Sequence, residues 1–174
     1  MSNILSPKQR GTGNNEWYTP PRFIEAARRV MGYIDLDPAS SDAANSVVDA
    51  ERYYTKEDDG LIKQWYGRVW LNPPYARGLC ASFIDKLESE WHRGDIVEAI
   101  TLTHASTDTA RCQKLMHLSS AICLIKGRIC FIDPATMEVK EGSPLQGTLI
   151  SYLGTSPSWF RAVFKEFGIT WVAR

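Results

Sequence analysis

The chain has 174 residues, of which 44% are hydrophobic and 23% charged, and its 20 basic and 20 acidic residues cancel. This composition is typical of a soluble globular domain, and no apolar run approaches the roughly 20 residues that a membrane-spanning helix needs. The polar segment 1–15 lacks an apolar core, which excludes a signal peptide there and predicts a flexible N-terminal arm before a single domain at 16–174.

Hydrophobic spacing and turn residues divide the first half of the chain into helices and strands. A helix begins at the Pro20-Pro21 pair and ends at Gly32, because proline suits the first helical turn and glycine suits the end. Short strands at 33–36 and 68–71 each stop at a turn that contains proline, and a helix at 79–91 follows. Residues 45–54 fit a helix or an irregular segment equally well.

The second half continues the alternation of strands and helices. Its predicted elements are a strand at 96–102, a helix at 107–117, strands at 121–125, 128–132 and 148–153, a helix at 159–167 and a strand at 169–172. This order predicts an α/β fold with a mostly parallel central sheet flanked by helices. Because ligands bind at the carboxyl ends of such strands, the turns at Asp37, Asn72 and Thr103 are candidate ligand-binding positions.

The cysteines and charged residues give weaker indications. Cys80, Cys112, Cys123 and Cys130 form no C-x-x-C pair, so free thiols in a reducing cytoplasm are expected and no metal site is predicted. Acidic residues dominate 31–60, which could line a site for a cationic or hydroxyl-rich ligand. Basic residues dominate 111–140, which could meet phosphates. Both stretches are also compatible with ordinary solvated surfaces.

The most specific motif is Asn72-Pro73-Pro74-Tyr75, which directly follows an apolar strand. A proline pair terminates a strand, which accounts for Pro73 and Pro74 but not for the flanking Asn72 and Tyr75. The motif suits methylation of a planar amine, whose lone pair is delocalised and therefore weakly nucleophilic. The Asn72 side-chain oxygen and the Pro73 carbonyl can each accept a hydrogen bond from the amine and stabilise the positive charge that develops on its nitrogen.

Tyr75 adds a surface on which the substrate can stack. Stacking of a base on an aromatic side chain is worth about 1–3 kcal/mol. The methyl donor implied by this chemistry is a sulfonium, and the loop contains no strong base. A base within a duplex cannot reach such a loop, so the target must be flipped out or single-stranded.

These motifs and their order resemble those of the phage-encoded DNA N-6-adenine methyltransferases. The resemblance covers about Trp17 to Leu153 and rests on these segments: Glu16-Trp17-Tyr18-Thr19-Pro20-Pro21, Asp35-Leu36-Asp37-Pro38-Ala39-Ser40, residues 55–61, residues 67–75 and, more weakly, residues 106–109 and 126–131. It implies a Rossmann-like class I methyltransferase fold without a separate target-recognition domain. It also implies S-adenosylmethionine as the cofactor without a metal, DNA as the partner, and the cytoplasm of a bacterial host.

The resemblance also implies roles for individual residues. The segment Trp17-Tyr18-Thr19-Pro20 would close over the methionine part of the cofactor, and Asp37-Pro38-Ala39-Ser40 would form the cofactor turn. Asp35 or Asp37 would bind the amino or ribose groups, and a carboxylate suits a ligand that carries an ammonium and a sulfonium. Asp58 or Asp59 would contact the adenine amine or the ribose. Phe131 is a candidate for stacking on the flipped base, although an aromatic residue in a strand more often belongs to the core.

Two departures and several alternatives remain at this stage. The turn at 37–42 lacks the glycines that many methyltransferases use there, and residues 103–106 lack an expected proline, where His104 is interpreted as a packed or surface residue. The same type of loop occurs in enzymes that methylate the glutamine side chains of translation factors and in some RNA methyltransferases, so methylation of another planar amine is one alternative. A non-catalytic module that binds DNA or the cofactor is an alternative from a different class.

Overall fold

The computed structural model describes residues 18–76, 78–133 and 146–173. The arm predicted over residues 1–15 and Trp17 of the predicted cofactor loop lie outside the described residues. The prediction of a single domain at 16–174 stays a prediction. No helix in the described ranges combines the length and the apolar character needed to cross a membrane.

Helices and strands alternate along most of the described chain. The helices are α1 (Pro21–Met31), α2 (Asp42–Val48), α3 (Leu79–Arg93), α4 (Ala110–Leu118) and α5 (Pro157–Phe164). The strands are β1 (Leu36–Asp37), β2 (Arg52–Tyr53), β3 (Gly67–Leu71), β4 (Ile96–His104), β5 (Ala121–Ile125), β6 (Thr148–Leu153) and β7 (Gly168–Val172).

The seven strands form one sheet in the order β2-β1-β3-β4-β6-β5-β7. The pairs from β2 to β4 are parallel, with Leu36 opposite Val69 and Leu71 opposite Thr101. The pairs beyond β4 are antiparallel, so β5, two antiparallel steps away, runs in the direction of β4. Five of the seven strands therefore share one direction, and the predicted α/β fold with a mostly parallel centre and flanking helices is confirmed.

The sheet lies between two layers of helices, and its strands alternate their side chains between two cores. On β3, Trp70 belongs to the core that α1 and α5 cover, whereas Val69 and Leu71 belong to the core beneath α3. Helix α1 begins with proline in its first turn and buries Phe23, Ile24, Ala26, Ala27, Val30 and Met31. Both faces of the central strands are thus covered, which leaves the strand ends as the accessible edge of the sheet.

Most predicted elements are present, but the strand predicted at 128–132 is wrong. Strand β5 already pairs with β6 on one side and β7 on the other, so the sheet has no free edge there. The following segment is instead irregular, and Ile132 forms an isolated antiparallel bridge with Tyr18 through hydrogen bonds of 3.0 and 3.2 Å. The apolar pattern arises because Ile129 and Phe131 are buried against the core.

The other differences concern element boundaries. The first strand is Leu36–Asp37 rather than 33–36, and the fourth helix starts at Ala110 rather than at 107. The undecided segment at 45–54 contains the end of α2, a left-handed Asp49 and then β2. Ser41 caps α2 by accepting a hydrogen bond from the Ala44 amide at 3.2 Å, which places the helix start three residues before the undecided segment.

Candidate active site

Three neighbouring parallel strands bring polar residues to the same edge of the sheet. Strand β1 ends at Asp37, β3 is followed directly by Asn72, and β4 ends at His104. Because side chains two residues apart point to the same face of a strand, Asn72 lies on the face of Trp70. His104 likewise lies on the same face as Leu102, and Leu102 belongs to the core that α1 and α5 cover. A carboxylate, a carboxamide and an imidazole therefore stand side by side at the carboxyl edge.

A cavity of about 440 Å³ opens at this edge. Ligand-binding pockets typically measure about 300–1,000 Å³, so the volume suits a small cofactor. The predicted site residues that line it are Tyr18, Thr19, Asp37, Pro38, Ala39, Ser40, Asp59, Asn72, Pro73, Pro74 and Tyr75. Segments that are far apart in the sequence therefore meet around one cavity.

Four of the described residues predicted for the site do not line this cavity: Pro20, Asp35, Asp58 and Phe131. Pro20 precedes the first turn of α1. Phe131 is 6% exposed and belongs to the core that α1 and α5 cover.

The two remaining residues have local structural partners. The Asp35 carboxylate accepts a hydrogen bond of 2.6 Å from the Arg68 amide and lies 4.0 Å from the Arg68 guanidinium. The Asp58 carboxylate accepts hydrogen bonds from the amide and hydroxyl of Thr55 at 2.9 and 2.8 Å. The sequence left open whether Asp35 or Asp37, and whether Asp58 or Asp59, contacts the cofactor. Of these four residues, Asp37 and Asp59 line the cavity.

Asp37 is a carboxylate in a nearly closed environment. It is 3% exposed and accepts a hydrogen bond of 3.2 Å from the Ala39 amide. Burial raises the pKa of Asp37 from 3.8 to about 7, although the Ser40 hydroxyl and the Ala39 amide lower it in part. A buried carboxylate at a cavity wall favours a cationic ligand, since a nearby positive charge stabilises its ionised form.

The backbone packs closely beside Asp37. A β-carbon on Gly60 would overlap the carbonyl oxygen of Pro38, so only glycine fits at this point. The close approach therefore lies between the turn after β1 and Gly60 rather than within the turn itself. The predicted cofactor turn at 37–42 itself contains no glycine.

The Asn72 side chain is oriented by two neighbours. Its amide nitrogen donates to the Thr19 hydroxyl at 3.3 Å, and its oxygen accepts from the Tyr75 hydroxyl at 3.0 Å. The Tyr75 hydroxyl also lies 3.2 Å from the Leu102 carbonyl oxygen, a second acceptor for the same hydrogen. A carboxamide oxygen can accept two hydrogen bonds, and Tyr75 supplies one of them here.

One face of the Tyr75 ring is covered by His104. The two rings stack with centroids 3.9 Å apart and an angle of 13° between their planes. A substrate base can therefore stack only on the opposite face while this pair is intact. Burial raises the pKa of the Tyr75 hydroxyl above its usual value, so this hydroxyl acts as a hydrogen-bond donor and not as an anion.

We expect His104 to stay neutral at physiological pH. Burial and the nearby Arg111 charge lower the pKa of His104 from 6.5 to about 4. Between these values the unfolded chain binds more protons than the folded chain, so the folded state loses stability as the pH falls from about 6.5 to about 4. An NMR titration, assigned with His104→Gln, should give a midpoint near 4; a midpoint near 6.5 contradicts this account.

Several cavity residues were missed by the sequence analysis, most of them from the region of α2 and β2. They include Ser41, Ala44, Val47, Val48, Tyr54, Lys56, Trp70 and Phe83. The Ser41 hydroxyl lies 2.8 Å from the Tyr18 hydroxyl and thereby connects the segment before α1 to the turn after β1. A serine before Asp42 is a helix-start signal that could have identified α2.

The described cysteines and histidines form no metal site. Cys80, Cys112, Cys123 and Cys130 are free thiols. Within the described residues no group of three or more histidine, cysteine, aspartate or glutamate side chains is arranged to hold a metal ion.

Comparison with known proteins assigns the family. The model of the family described as DNA N-6-adenine-methyltransferase (Dam) matches residues 7–167. The chain belongs to this family. The resemblance inferred from the motifs is thus confirmed. A DNA N-6-adenine-methyltransferase of Escherichia phage T1 is 42% identical over 64 residues, which are 35% of this chain and 25% of the phage protein. The match therefore spans a quarter of that relative's length.

The Dam family match includes the whole cavity. Both Asp37 and the 72–75 loop lie within residues 7–167, as do all other cavity-lining residues. The part of the chain that matches the family therefore contains all residues that line the cavity.

Proposed function

We propose that the chain transfers a methyl group from S-adenosylmethionine to the N-6 amine of adenine in DNA. The observation that carries this proposal is the orientation of Asn72 at the cavity wall, between Thr19 and Tyr75. Membership in the Dam family supports the choice of DNA adenine as substrate, as does the printed name of the phage T1 relative.

The cavity residues fit S-adenosylmethionine. Asp37 provides a buried carboxylate for a cationic part of the cofactor, and Asp59 provides a second carboxylate at the wall. Val47, Val48 and Phe83 provide apolar surface for a planar ring. When bound, the cofactor supplies a methyl group on an electrophilic sulfonium. We propose Tyr18, Thr19, Pro38, Ala39 and Ser40 as further binding residues, whereas the positions of Asp35 and Asp58 give those two carboxylates no contact with the cavity.

Asn72 and Pro73 would act on the substrate amine. The Asn72 oxygen and the Pro73 carbonyl would each accept a hydrogen bond from the amine. These two hydrogen bonds draw the nitrogen toward tetrahedral geometry and expose its lone pair. Thr19 accepts a hydrogen bond from the Asn72 amide nitrogen and Tyr75 donates one to its oxygen, so the carboxamide is held in one orientation at the cavity wall. Because these acceptors are already oriented, little reorganisation is needed when positive charge develops on the nitrogen.

The base would stack on the face of Tyr75 that His104 leaves open. The Tyr75 hydroxyl is fixed by Asn72 and Leu102, and the ring is fixed by the stacked imidazole. The aromatic surface is therefore preorganised before the base arrives. An adenine within a duplex must leave the stack to reach this position, so we propose a flipped-out or single-stranded target.

Transfer of radiolabelled methyl from S-adenosylmethionine to separate pools of DNA, RNA and protein tests the proposal. We expect the label in DNA, with Asn72→Ala as the inactive control. Label confined to protein would support a glutamine methyltransferase and contradict the proposal, as would label confined to RNA. Absence of transfer to every pool, despite cofactor binding, would indicate a non-catalytic binding module.

A further inference from the structure

A half-buried arginine adjoins the aromatic pair at the candidate active site. Arg111 lies in the first turn of α4, the helix that follows the end of β4 at His104. Its positive charge favours a lower pKa for Tyr75, His104 and Cys80, but burial is the larger influence on each and raises the pKa of Tyr75 and Cys80 overall. In the described part of the chain, Arg111 forms no ion pair with a carboxylate. A partly desolvated cation is costly without an anionic partner.

Several other cations of the described ranges have carboxylate partners. Arg68 lies between Asp35 and Glu98, at 4.0 and 3.9 Å. Lys114 is on the same helix as Arg111 and contacts Asp85 and Glu88 at 2.7 and 2.6 Å. The contrast within α4 indicates that Arg111 is not a structural ion-pair residue.

A second arginine lies at the same edge of the sheet. Gly147 precedes β6 and accepts a hydrogen bond from the Ala105 amide, directly beyond the end of β4. A β-carbon on Gly147 would lie 2.8 Å from an Arg128 guanidinium nitrogen. The guanidinium of the exposed Arg128 therefore lies close to this strand end, and it too has no carboxylate partner among the described residues.

The position of the two guanidinium groups identifies the kind of anion they suit. Neither Arg111 nor Arg128 lines the cofactor cavity, so the carboxylate of the cofactor is not their natural partner. Both instead lie beside the strand end that carries His104. Guanidinium groups bind phosphate oxygens with favourable planar geometry. DNA that delivers a base to Tyr75 must bring its phosphodiester backbone across this edge.

We propose that Arg111 and Arg128 bind phosphates of the DNA strand that carries the target adenine, with Arg111 at the phosphate nearest the flipped nucleotide. This inference rests on the proposed function, since it takes DNA as the substrate. Although the net charge of the chain is zero, these two arginines would place positive charge where the DNA strand enters. It also gives a physical role to the basic stretch that begins at Arg111.

The salt dependence of DNA binding tests the inference. Each phosphate contact contributes a slope of about −0.9 to a plot of log K against log salt concentration. With a mixed-sequence duplex and S-adenosylhomocysteine present, Arg111→Gln and Arg128→Gln should each make the slope about one unit less negative. The double variant should change it by about two units. Arg111→Lys keeps the charge and should retain the wild-type slope.

Arg29→Gln is the matched control. Arg29 is an exposed guanidinium at the other end of α1 from Thr19 and pairs with Glu166 at 3.3 Å, so its removal changes net charge equally but should leave the slope unchanged. A wild-type slope in both Arg111→Gln and Arg128→Gln overturns the inference. So does an equal change in Arg29→Gln. Each variant must keep the wild-type affinity for S-adenosylhomocysteine, and for a variant that does not fold, the other arginine and Arg111→Lys decide the result.

Failure of the proposed function gives a different result. If the wild-type protein itself neither methylates DNA nor binds it in a salt-dependent manner, the substrate assignment is wrong and the arginine inference is wrong with it. If the wild-type protein methylates DNA but its arginine variants bind with the wild-type salt slope, only the arginine inference is wrong.

Discussion

Replacing Asn72 with alanine is expected to reduce the rate of methyl transfer by at least about 10²–10³-fold, the range seen when one preorganised transition-state hydrogen bond is removed. The side-chain oxygen stabilises the amine only as positive charge develops on it, so the loss falls on kcat. Affinity for S-adenosylmethionine should change by less than about threefold, because the interaction that is lost stabilises the transition state and not the bound cofactor. Single-turnover transfer and calorimetric titration measure the two quantities separately.

Two further variants separate the acceptor role of Asn72 from its positioning. Asn72→Asp keeps an oxygen acceptor but loses the amide nitrogen that donates to Thr19, so it should retain more activity than Asn72→Ala. Thr19→Val removes the partner that orients the carboxamide and should reduce kcat by a smaller factor, about 10-fold for a hydrogen bond worth about 1 kcal/mol or slightly more. Turnover of Asn72→Ala equal to that of the wild type contradicts the mechanism.

Replacing Asp37 with asparagine is expected to weaken S-adenosylmethionine binding by about 10- to 100-fold, because hydrogen bonds to charged groups contribute about 1.5–3 kcal/mol. The wild-type affinity should also fall as the pH drops below about 7, since the pKa of Asp37 in the free protein is about 7 and a protonated carboxyl attracts a cation poorly. The Asp37→Asn variant should lack this pH dependence. Unchanged affinity in the variant at pH 8 contradicts the assignment.

The same substitution should stabilise the protein in the absence of cofactor. Burial raises the pKa of Asp37 in the folded state from 3.8 to about 7, so the folded chain binds more protons than the unfolded chain between these values. Stability therefore falls as the pH rises from about 4 to about 7. At pH 8, Asp37→Asn should unfold at a higher temperature than the wild type, with a gain of at most about 4 kcal/mol, since one pKa unit corresponds to about 1.4 kcal/mol. Near pH 4 the difference should disappear.

Most helices and the central strands could be predicted, because a buried helix face and a strand buried on both faces leave clear apolar patterns. Helix α2 was missed because it buries only Val48. The bounds of β5 and β6 match their predictions, and the start of α1 follows from its prolines. The segment at 128–132 could not be assigned correctly from its own residues. Its apolar pattern is that of a strand, but the edges of β5 are already taken by β6 and β7, which are distant in sequence.

The candidate site was predictable residue by residue only in part. The 72–75 loop carries its chemistry in its sequence, whereas the choice between Asp35 and Asp37 depends on position along the chain: Asp37 ends β1 at the cavity, and Asp35 precedes β1 and contacts Arg68. The stacking of His104 on Tyr75 depends on β4 lying beside β3. That adjacency, like the position of α2 at the cavity, results from long-range packing.

Identification of the methylated atom tests the central claim most directly. DNA incubated with the wild-type protein and S-adenosylmethionine should yield N-6-methyladenine on nucleoside mass spectrometry, and sequencing with base-modification detection should place it at defined positions. The product should form at least about 10²-fold more slowly with Asn72→Ala that still binds the cofactor. Methylation at another atom, of another base, or at an undiminished rate with Asn72→Ala would contradict the assignment of the 72–75 loop as the site of N-6-adenine methylation.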